Sequence, residues 1–215
     1  MFKNRKEAGG KLADRLIGNQ LIGDVDKKDL LVLSIPRGGV VVGKEVARVL
    51  KCDHDVVVSK KLGAPMQKEL AIGAVAEDGE PWVNEQLVAS VGVDRDYLKV
   101  EEKKVRGKIR GYIDKFREGR ELDVGEKVVI VVDDGFATGA TAKAAIKWLR
   151  NKKAGKVVVA VPVCAKDTAR ELERQVDKWV CLDIPPAGGF AAVGQFYSQF
   201  DQVSDEEVVK LLHEN

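Results

Sequence analysis

The sequence is poor in the residues that build metal centres and disulfide frameworks. Its 215 residues include only three cysteines and two histidines. Cys52, Cys164 and Cys181 are far apart, odd in number and outside any CxxC pair. That excludes a disulfide scaffold and points to a reducing compartment, and with only His54 and His213 to join them a zinc site is weak. No apolar run approaches membrane-spanning length. The opening Met-Phe-Lys-Asn-Arg-Lys-Glu is charged and has no apolar core of signal-peptide length. The expectation is a cytoplasmic protein without a membrane partner. An excess of one charge is also missing: 36 basic residues balance 34 acidic ones, for a net +2. The totals therefore give no preference for nucleic acid or a membrane surface. There is no helix-turn-helix and no dense basic arm, which disfavours a DNA-binding regulator, and there is no internal repeat or low-complexity tract.

What is present is ordinary for a soluble globular chain, 45% hydrophobic and 33% charged. The length allows one large α/β domain or two small ones. The most informative stretch is Val129 to Thr141, Val-Ile-Val-Val-Asp-Asp-Gly-Phe-Ala-Thr-Gly-Ala-Thr. Four β-branched residues predict a strand buried on both faces. Asp133 and Asp134 sit where it should end, followed by a loop of small and hydroxyl residues and a helix from Ala142 to Arg150. Amides of such a loop, aimed by the helix, form an anion cradle to which Thr138 and Thr141 add hydroxyls. Paired carboxylates beside a phosphate cradle suit a ribose 5-phosphate. A plain strand-turn-helix with an Asp N-cap accounts for one Asp, but not for the pair or for the threonines around Gly139.

This stretch resembles the phosphoribosyl pyrophosphate (PRPP) signature of type I phosphoribosyltransferases. The resemblance implies that Asp133 and Asp134 hold the ribose 2- and 3-hydroxyls, and that Ala137, Thr138, Gly139, Ala140 and Thr141 wrap the 5-phosphate. A second turn, Pro36-Arg37-Gly38-Gly39, follows the apolar run Leu30 to Ile35. Its glycines let amides approach an anion closely, and Arg37 offers a fork for phosphate oxygens. It resembles the family's pyrophosphate loop, in which a strained or cis peptide is common, here at Arg37 or Gly38. Gly38 and Gly43-Lys44 also have P-loop spacing, but Glu45 stands where a magnesium-binding hydroxyl belongs. The nucleotide triphosphatase reading is rejected.

Along the chain, Arg5 to Leu16 predicts a helix with Ala8, Leu12 and Leu16 on one face, a lid packed on the sheet; Gly18 and Gly23 bracket a loop. A helix is expected over Val40 to Leu50 and a strand over His54 to Ser59, with His54 flanking that strand rather than titrating in a site. Lys60 to Glu69 has no periodicity. With the strand-like Leu70 to Ala76 and Pro81 to Val83, it resembles the mobile hairpin that closes over PRPP in the family, where Lys60 or Lys61 would reach the pyrophosphate. Asp94 to Gly119 is a long helix with an apolar stripe of Leu98, Val105, Ile109, Tyr112 and Phe116. Lys103, Lys104, Lys108 and Lys115 largely face water. Gly107 and Gly111 weaken the helix locally. A strand (Lys156 to Val161), a helix (Lys166 to Val176) and a last strand (Trp179 to Leu182) follow. Asp183 to Phe200 is rich in Pro, Gly and aromatics and suits a capping flap, the hood of the family, and Ser204 and Glu207 form a capping box on a final helix to Leu212.

Alternating strands and helices imply a parallel sheet of about five strands with helices on both faces. The expected order is 56–59, 30–35, 128–132, 157–161, 179–182. Residues 1–215 are read as one domain: a core over about 25–182, and a hood over about 183–203 with the terminal helices. The resemblance implies attack of a nitrogen acceptor on C1 of PRPP, Mg2+ bound mainly through PRPP near Asp133 and Asp134, pyrophosphate leaving at Arg37, Gly38 and Gly39, and a homodimer. Ala137 stands where 6-oxopurine enzymes of the family usually carry an Asp, and its methyl group takes no proton. Phe136 and Phe190 are the rings available to stack on an aromatic acceptor. The alternative is a PRPP- or nucleotide-binding regulator without turnover; RNA binding by the 94–119 helix stays open.

Overall fold

The computed structural model describes residues 1–18, Ile22 and residues 24–214. Five strands, β1 (Leu30–Ser34), β2 (Asp53–Val56), β6 (Val128–Val132), β7 (Lys156–Val163) and β8 (Lys178–Asp183), pair in parallel. Their order is β2-β1-β6-β7-β8, as the sequence predicts. Leu30 to Ser34 pair in register with Val128 to Val132.

Strand geometry explains the continuous apolar runs. Successive side chains point to opposite faces, and both faces here are covered. Leu31, Leu33, Val129, Val131, Val157 and Val159 pack with helices α5 (Ala140–Asn151) and α6 (Lys166–Glu173). Leu30, Val32, Ile130, Val132 and Val158 pack with α1 (Arg5–Ile17) and α2 (Gly38–Leu50). Leu12, Leu16 and Val46 are wholly buried there, each worth about 1.5–3 kcal/mol. Gly9 makes the α1–α2 crossing close: a Cβ on it would lie 2.7 Å from the Val42 carbonyl oxygen. Because α2 follows β1 onto one face and α5 follows β6 onto the other, the carboxyl ends of β1 and β6 open into a crevice at the switch point.

The stretch after β2 departs from expectation. β2 stops at Val56 rather than Ser59, because the Val58 N–H leaves the parallel ladder and donates to Glu77 Oε1 at 2.6 Å. Residues 60–69, read as aperiodic, belong to a second, antiparallel sheet of β3 (Ser59–Ala64), β4 (Gln67–Ala76) and β5 (Trp82–Val83). Register shifts around Gly63 break the alternation that would have marked a strand. The base of this hairpin is core: Leu62, Ile72, Ala74 and Val75 are at most 1% exposed. Its tip, Pro65 to Glu69, stands in solvent, as does the Lys61 side chain.

A short helix α3 (Glu85–Ser90), capped by Asn84, precedes the long α4 (Arg95–Arg117). Val105, Ile109 and Phe116 of α4 are buried and its four named lysines exposed, as its stripe predicts. Residues 184–203 are irregular apart from a single turn at Val193–Phe196. The Phe2 N–H donates to the Phe196 carbonyl at 2.7 Å and fastens this hood to the N-terminus. The last helix, α7 (Asp205–His213), shows half of the expected capping box, with Ser204 Oγ accepting from the Glu207 N–H at 3.1 Å. Most of the loop expected between Gly18 and Gly23 lies outside the described residues.

Candidate functional site

The two sequence motifs meet at the switch point. Asp133 and Asp134 leave the carboxyl end of β6, and Pro36 to Gly39 leaves that of β1. A Cβ on Gly38 would lie 1.9 Å from Asp134 Oδ2, and one on Gly39 would lie 2.9 Å from Asp133 Cα. The glycines are therefore required for two loops to touch. The Pro36–Arg37 peptide is cis, at the expected turn. Arg37 is half-buried and places Nη1 3.4 Å from Asp205 Oδ1.

The acid pair is electrostatically uneasy. Burial, and then the neighbouring Asp134 carboxylate, push the Asp133 carboxyl well above the usual range. Burial also raises Asp134, opposed by the guanidinium of Arg5. Arg5 Nε donates to Asp134 Oδ2 at 2.8 Å and Nη1 to the Asp201 carbonyl at 2.7 Å. Its guanidinium carbon lies 3.8 Å from the centroid of Phe200. Tyr197 donates its hydroxyl to the Asp134 carbonyl at 2.6 Å, and burial raises its pKa. Sequence reasoning missed Arg5, although a signal existed: it falls on the same helical face as Ala8, Leu12 and Leu16, a cation in an apolar stripe.

The loop from Gly135 to Thr141 turns back over the sheet into α5. Gly139 has φ of 65° and a Cβ there would lie 2.7 Å from Thr168 Cγ2. Thr168 Oγ1 in turn donates to the Ala137 carbonyl at 2.6 Å and fixes the bend. Among the described residues, the N–H groups of residues 137–141 donate to no protein acceptor. They crown the positive end of a twelve-residue helix, the arrangement that binds an anion. Ala137 and Thr138 are exposed and Thr141 is half-buried. Ser59 Oγ donates to the Thr141 carbonyl at 3.0 Å and ties the hairpin to this loop.

The remaining expected residues divide. Phe136 is a correction: its ring is 2% exposed and belongs to the core. Its N–H donates to the Val163 carbonyl at 3.0 Å and its carbonyl accepts from the Ala165 N–H at 2.9 Å, which turns the ring inward, away from any acceptor. Phe190 is half-buried in the hood, 5.3 Å from Phe196. Lys60 Nζ lies 4.0 Å over the ring of Tyr112. Its pKa is lowered by desolvation and then by the charge of Arg37. Lys61 is exposed and pairs with Glu69. Of the two lysines, Lys60 is the one that feels Arg37. His54 lies in β2 with Nε2 2.8 Å from Ser34 Oγ, and burial lowers its pKa to about 3, so it is a neutral structural residue as expected. The region of false P-loop spacing is helix α2, and Glu45 pairs there with Arg48 at 2.9 Å.

With this geometry in hand, comparison with known proteins decides the family. The sequence pattern of the phosphoribosyl transferase domain matches residues 4–201. The chain belongs to the phosphoribosyl transferase family. Two Mycobacterium tuberculosis proteins, from strains CDC 1551 and H37Rv and each provisionally named a phosphoribosyl transferase, are 42% identical over 213 residues. The match covers 99% of this chain and 46% of each relative, so the chain spans about half the length of the curated relatives it matches. The crystal structure of the TT1426 protein of Thermus thermophilus has a TM-score of 0.78 at 35% identity, covering 98% of this chain and 97% of that one. The AQ2163 protein of Aquifex aeolicus shares the fold, with a TM-score of 0.53 at 13% identity over 84% of this chain and 73% of that one. No helix among the described residues is long and apolar enough to cross a membrane. Nor does any group of three or more His, Cys, Asp or Glu among them form a metal cage.

Proposed function

We propose that this chain transfers the phosphoribosyl group of PRPP to a nitrogen acceptor, a nucleobase or related small molecule, and releases pyrophosphate. One observation carries the proposal: the Pro36–Gly39 turn and the Asp133–Asp134 pair touch across the switch point, beside a helix N-terminus with unpaired amides. A ligand anionic at both ends and hydroxylated in the middle satisfies all three at once.

In this reading Asp133 and Asp134 accept from the ribose hydroxyls. The N–H groups of residues 137–141, with the hydroxyls of Thr138 and Thr141, hold the 5-phosphate. Arg37 and the amides of Gly38 and Gly39 receive the leaving pyrophosphate, while Lys60, over the ring of Tyr112, faces the neighbouring cleft. Positive charge that develops on the ribose is stabilised by the carboxylates fixed beside it, so the chain contributes positioning and electrostatics. The hood and the hairpin tip shield the reacting carbon from water. Two adjacent carboxylates without a third ligand fit Mg2+ held mainly by substrate oxygens, with Asp133 and Asp134 nearest. When bound, the ion neutralises the leaving pyrophosphate. Ala137 supplies no base, so the acceptor proton leaves by another route, and Phe190 in the hood is the ring left to face an aromatic acceptor. A second copy of the chain as partner and a cytoplasmic setting complete the proposal.

The test is pyrophosphate release from PRPP with Mg2+ across a panel of nucleobases, with Asp133→Asn/Asp134→Asn as control. Release that depends on one acceptor and disappears in the control is expected. PRPP binding without release under any acceptor would favour a regulator that keeps the fold, and absence of PRPP binding would overturn the proposal.

A further inference from the structure

We propose a second anion site, for an oligophosphate chain, in the cleft between the β3–β4 hairpin and helix α4. The cleft has a cavity of about 660 Å³ and a floor of Val105 and Tyr112. Lys104, Lys108, Gly111 and Lys115 follow one another at spacings of four, three and four, so they form one stripe of α4 facing it. Lys60 reaches in from β3.

The charges do not balance. Every acid on the cleft wall is already engaged: Glu69 by Lys61, Glu101 by Lys68 at 3.2 Å, and Asp205 by Lys115 at 2.8 Å. Among the described residues, Lys60, Lys104 and Lys108 have no carboxylate within 4 Å, which leaves three cations without an ion-pair partner around one cavity. Lys104 and Lys108, four residues apart on a helix, repel each other. Lys60 is half-buried over Tyr112, where desolvation and then the charge of Arg37 disfavour its ammonium, with Asp205 opposing them and Lys108 adding to them. Gly111 adds an independent observation. It lies inside an unbroken 23-residue helix, where glycine is unfavourable, yet a Cβ on it would meet nothing within 4 Å, so packing does not require it. Its missing side chain leaves a gap in the lysine stripe, open to the cavity.

The ligand follows from the chemistry. From Lys104 to Lys115 the stripe runs about 16 Å along the helix axis, and three free ammonium groups call for several negative charges in a row. The Tyr112 face is already taken by Lys60 and offers no stacking platform, so phosphates rather than a base are what the cleft reads. Inorganic oligophosphate and the phosphate tail of a nucleotide share that chemistry. Asp205 joins the cleft to the crevice, since it takes both Lys115 and Arg37.

The test is calorimetric titration of the full chain with inorganic tripolyphosphate, pyrophosphate and a nucleoside triphosphate, in the absence and presence of saturating PRPP. Tripolyphosphate should bind at least tenfold more tightly than pyrophosphate and persist with PRPP bound. Lys104→Gln/Lys108→Gln, both surface changes, should weaken it tenfold or more. Gly111→Leu, which fills the gap, should do the same in a protein that still melts cooperatively. Equal affinity for the nucleoside triphosphate identifies the bare phosphate chain as the ligand; tenfold tighter binding identifies a nucleotide. Unchanged affinity in Lys104→Gln/Lys108→Gln, displacement by PRPP, or binding of an RNA oligonucleotide with no response to tripolyphosphate would overturn the proposal. Asp133→Asn/Asp134→Asn should leave tripolyphosphate binding intact, so failure here and failure of the PRPP reading are separate results.

Discussion

Arg5 is the residue through which the N-terminal helix, the hood and the acid pair are held together, and Arg5→Met tests that. The Arg5 and Asp134 side chains are 10% and 14% exposed. Removing one partner of a buried pair costs about 3–5 kcal/mol, mostly from the charge left behind. Here Asp134 has an escape, because burial already raises its pKa and it can take a proton once the guanidinium is gone. The loss should therefore fall near the lower end, about 3 kcal/mol, of which the contact with Phe200 supplies about 1 kcal/mol. At about 2–4 °C per kcal/mol for a chain this long, Tm falls by roughly 6–12 °C.

The assay is thermal unfolding of wild type, Arg5→Met, Asp134→Asn and the double variant at about pH 7.5 and pH 5.5. In the Asp134→Asn background the cost of Arg5→Met should shrink by more than about 1 kcal/mol, the coupling expected of neighbours that share a charge. The pH dependence has a definite sign. Loss of Arg5 raises the folded-state pKa of Asp134 further above its unfolded value. A group raised in this way contributes stability at low pH that is lost as pH rises through the folded pKa. The deficit of Arg5→Met should thus be larger at pH 7.5 than at pH 5.5. Equal deficits at both pH values and in both backgrounds would show that Arg5 acts only through Phe200 and Asp201.

Asp133→Asn should remove PRPP binding and yet raise the neutral-pH Tm of the free protein by roughly 2–4 °C, about 1 kcal/mol. Its carboxyl is raised by burial, and the amide oxygen can still accept the 2.8 Å bond from the Asp134 N–H; a lower Tm at neutral pH contradicts this. Gly38→Ala places a methyl group against Asp134 Oδ2, so a loss of about 1–3 kcal/mol and of PRPP binding is expected by denaturant melt and titration. Gly107→Ala, in the interior of α4 with nothing within 4 Å of its Cβ, should instead gain up to about 1 kcal/mol in the same melt.

How much of this was legible depended on whether the signal was local. The five-strand order and the meeting of the two glycine-bearing loops were readable because strands covered on both faces must be continuous apolar runs, and because a parallel α/β sheet brings the loops after neighbouring strands together at its carboxyl edge. The hairpin was not, because the shifts around Gly63 erase period-two alternation and Lys60 and Lys61 look like loop. Phe136 misled for a geometric reason: it stands beside the acid pair in sequence, but its backbone is held by Val163 and Ala165 from the neighbouring chain segment, and that turns the ring inward. The partner of Arg5 lies 129 residues away, so no window of sequence contains both. Only its place in an apolar stripe betrayed it.

The same charges lead to a last prediction about the proposed substrate. The crevice has two positive ends, the amides before α5 and the Arg37 turn before α2, and an acidic centre where burial and the Asp134 charge push the Asp133 carboxyl well above the usual range. A ribose diol brings hydroxyl donors to that centre, and donors favour the ionised form of a carboxylate. The pKa of Asp133 should therefore fall on binding, and PRPP binding should release protons at any pH between the bound-state and free-state values. Titration calorimetry in buffers of different ionisation enthalpy measures that release directly. Affinity should rise with pH between the bound-state and free-state pKa values of Asp133, and the proton signal should vanish in Asp133→Asn. A proton taken up, or none exchanged, would mean that the acids do not meet the sugar hydroxyls, whatever else the crevice holds.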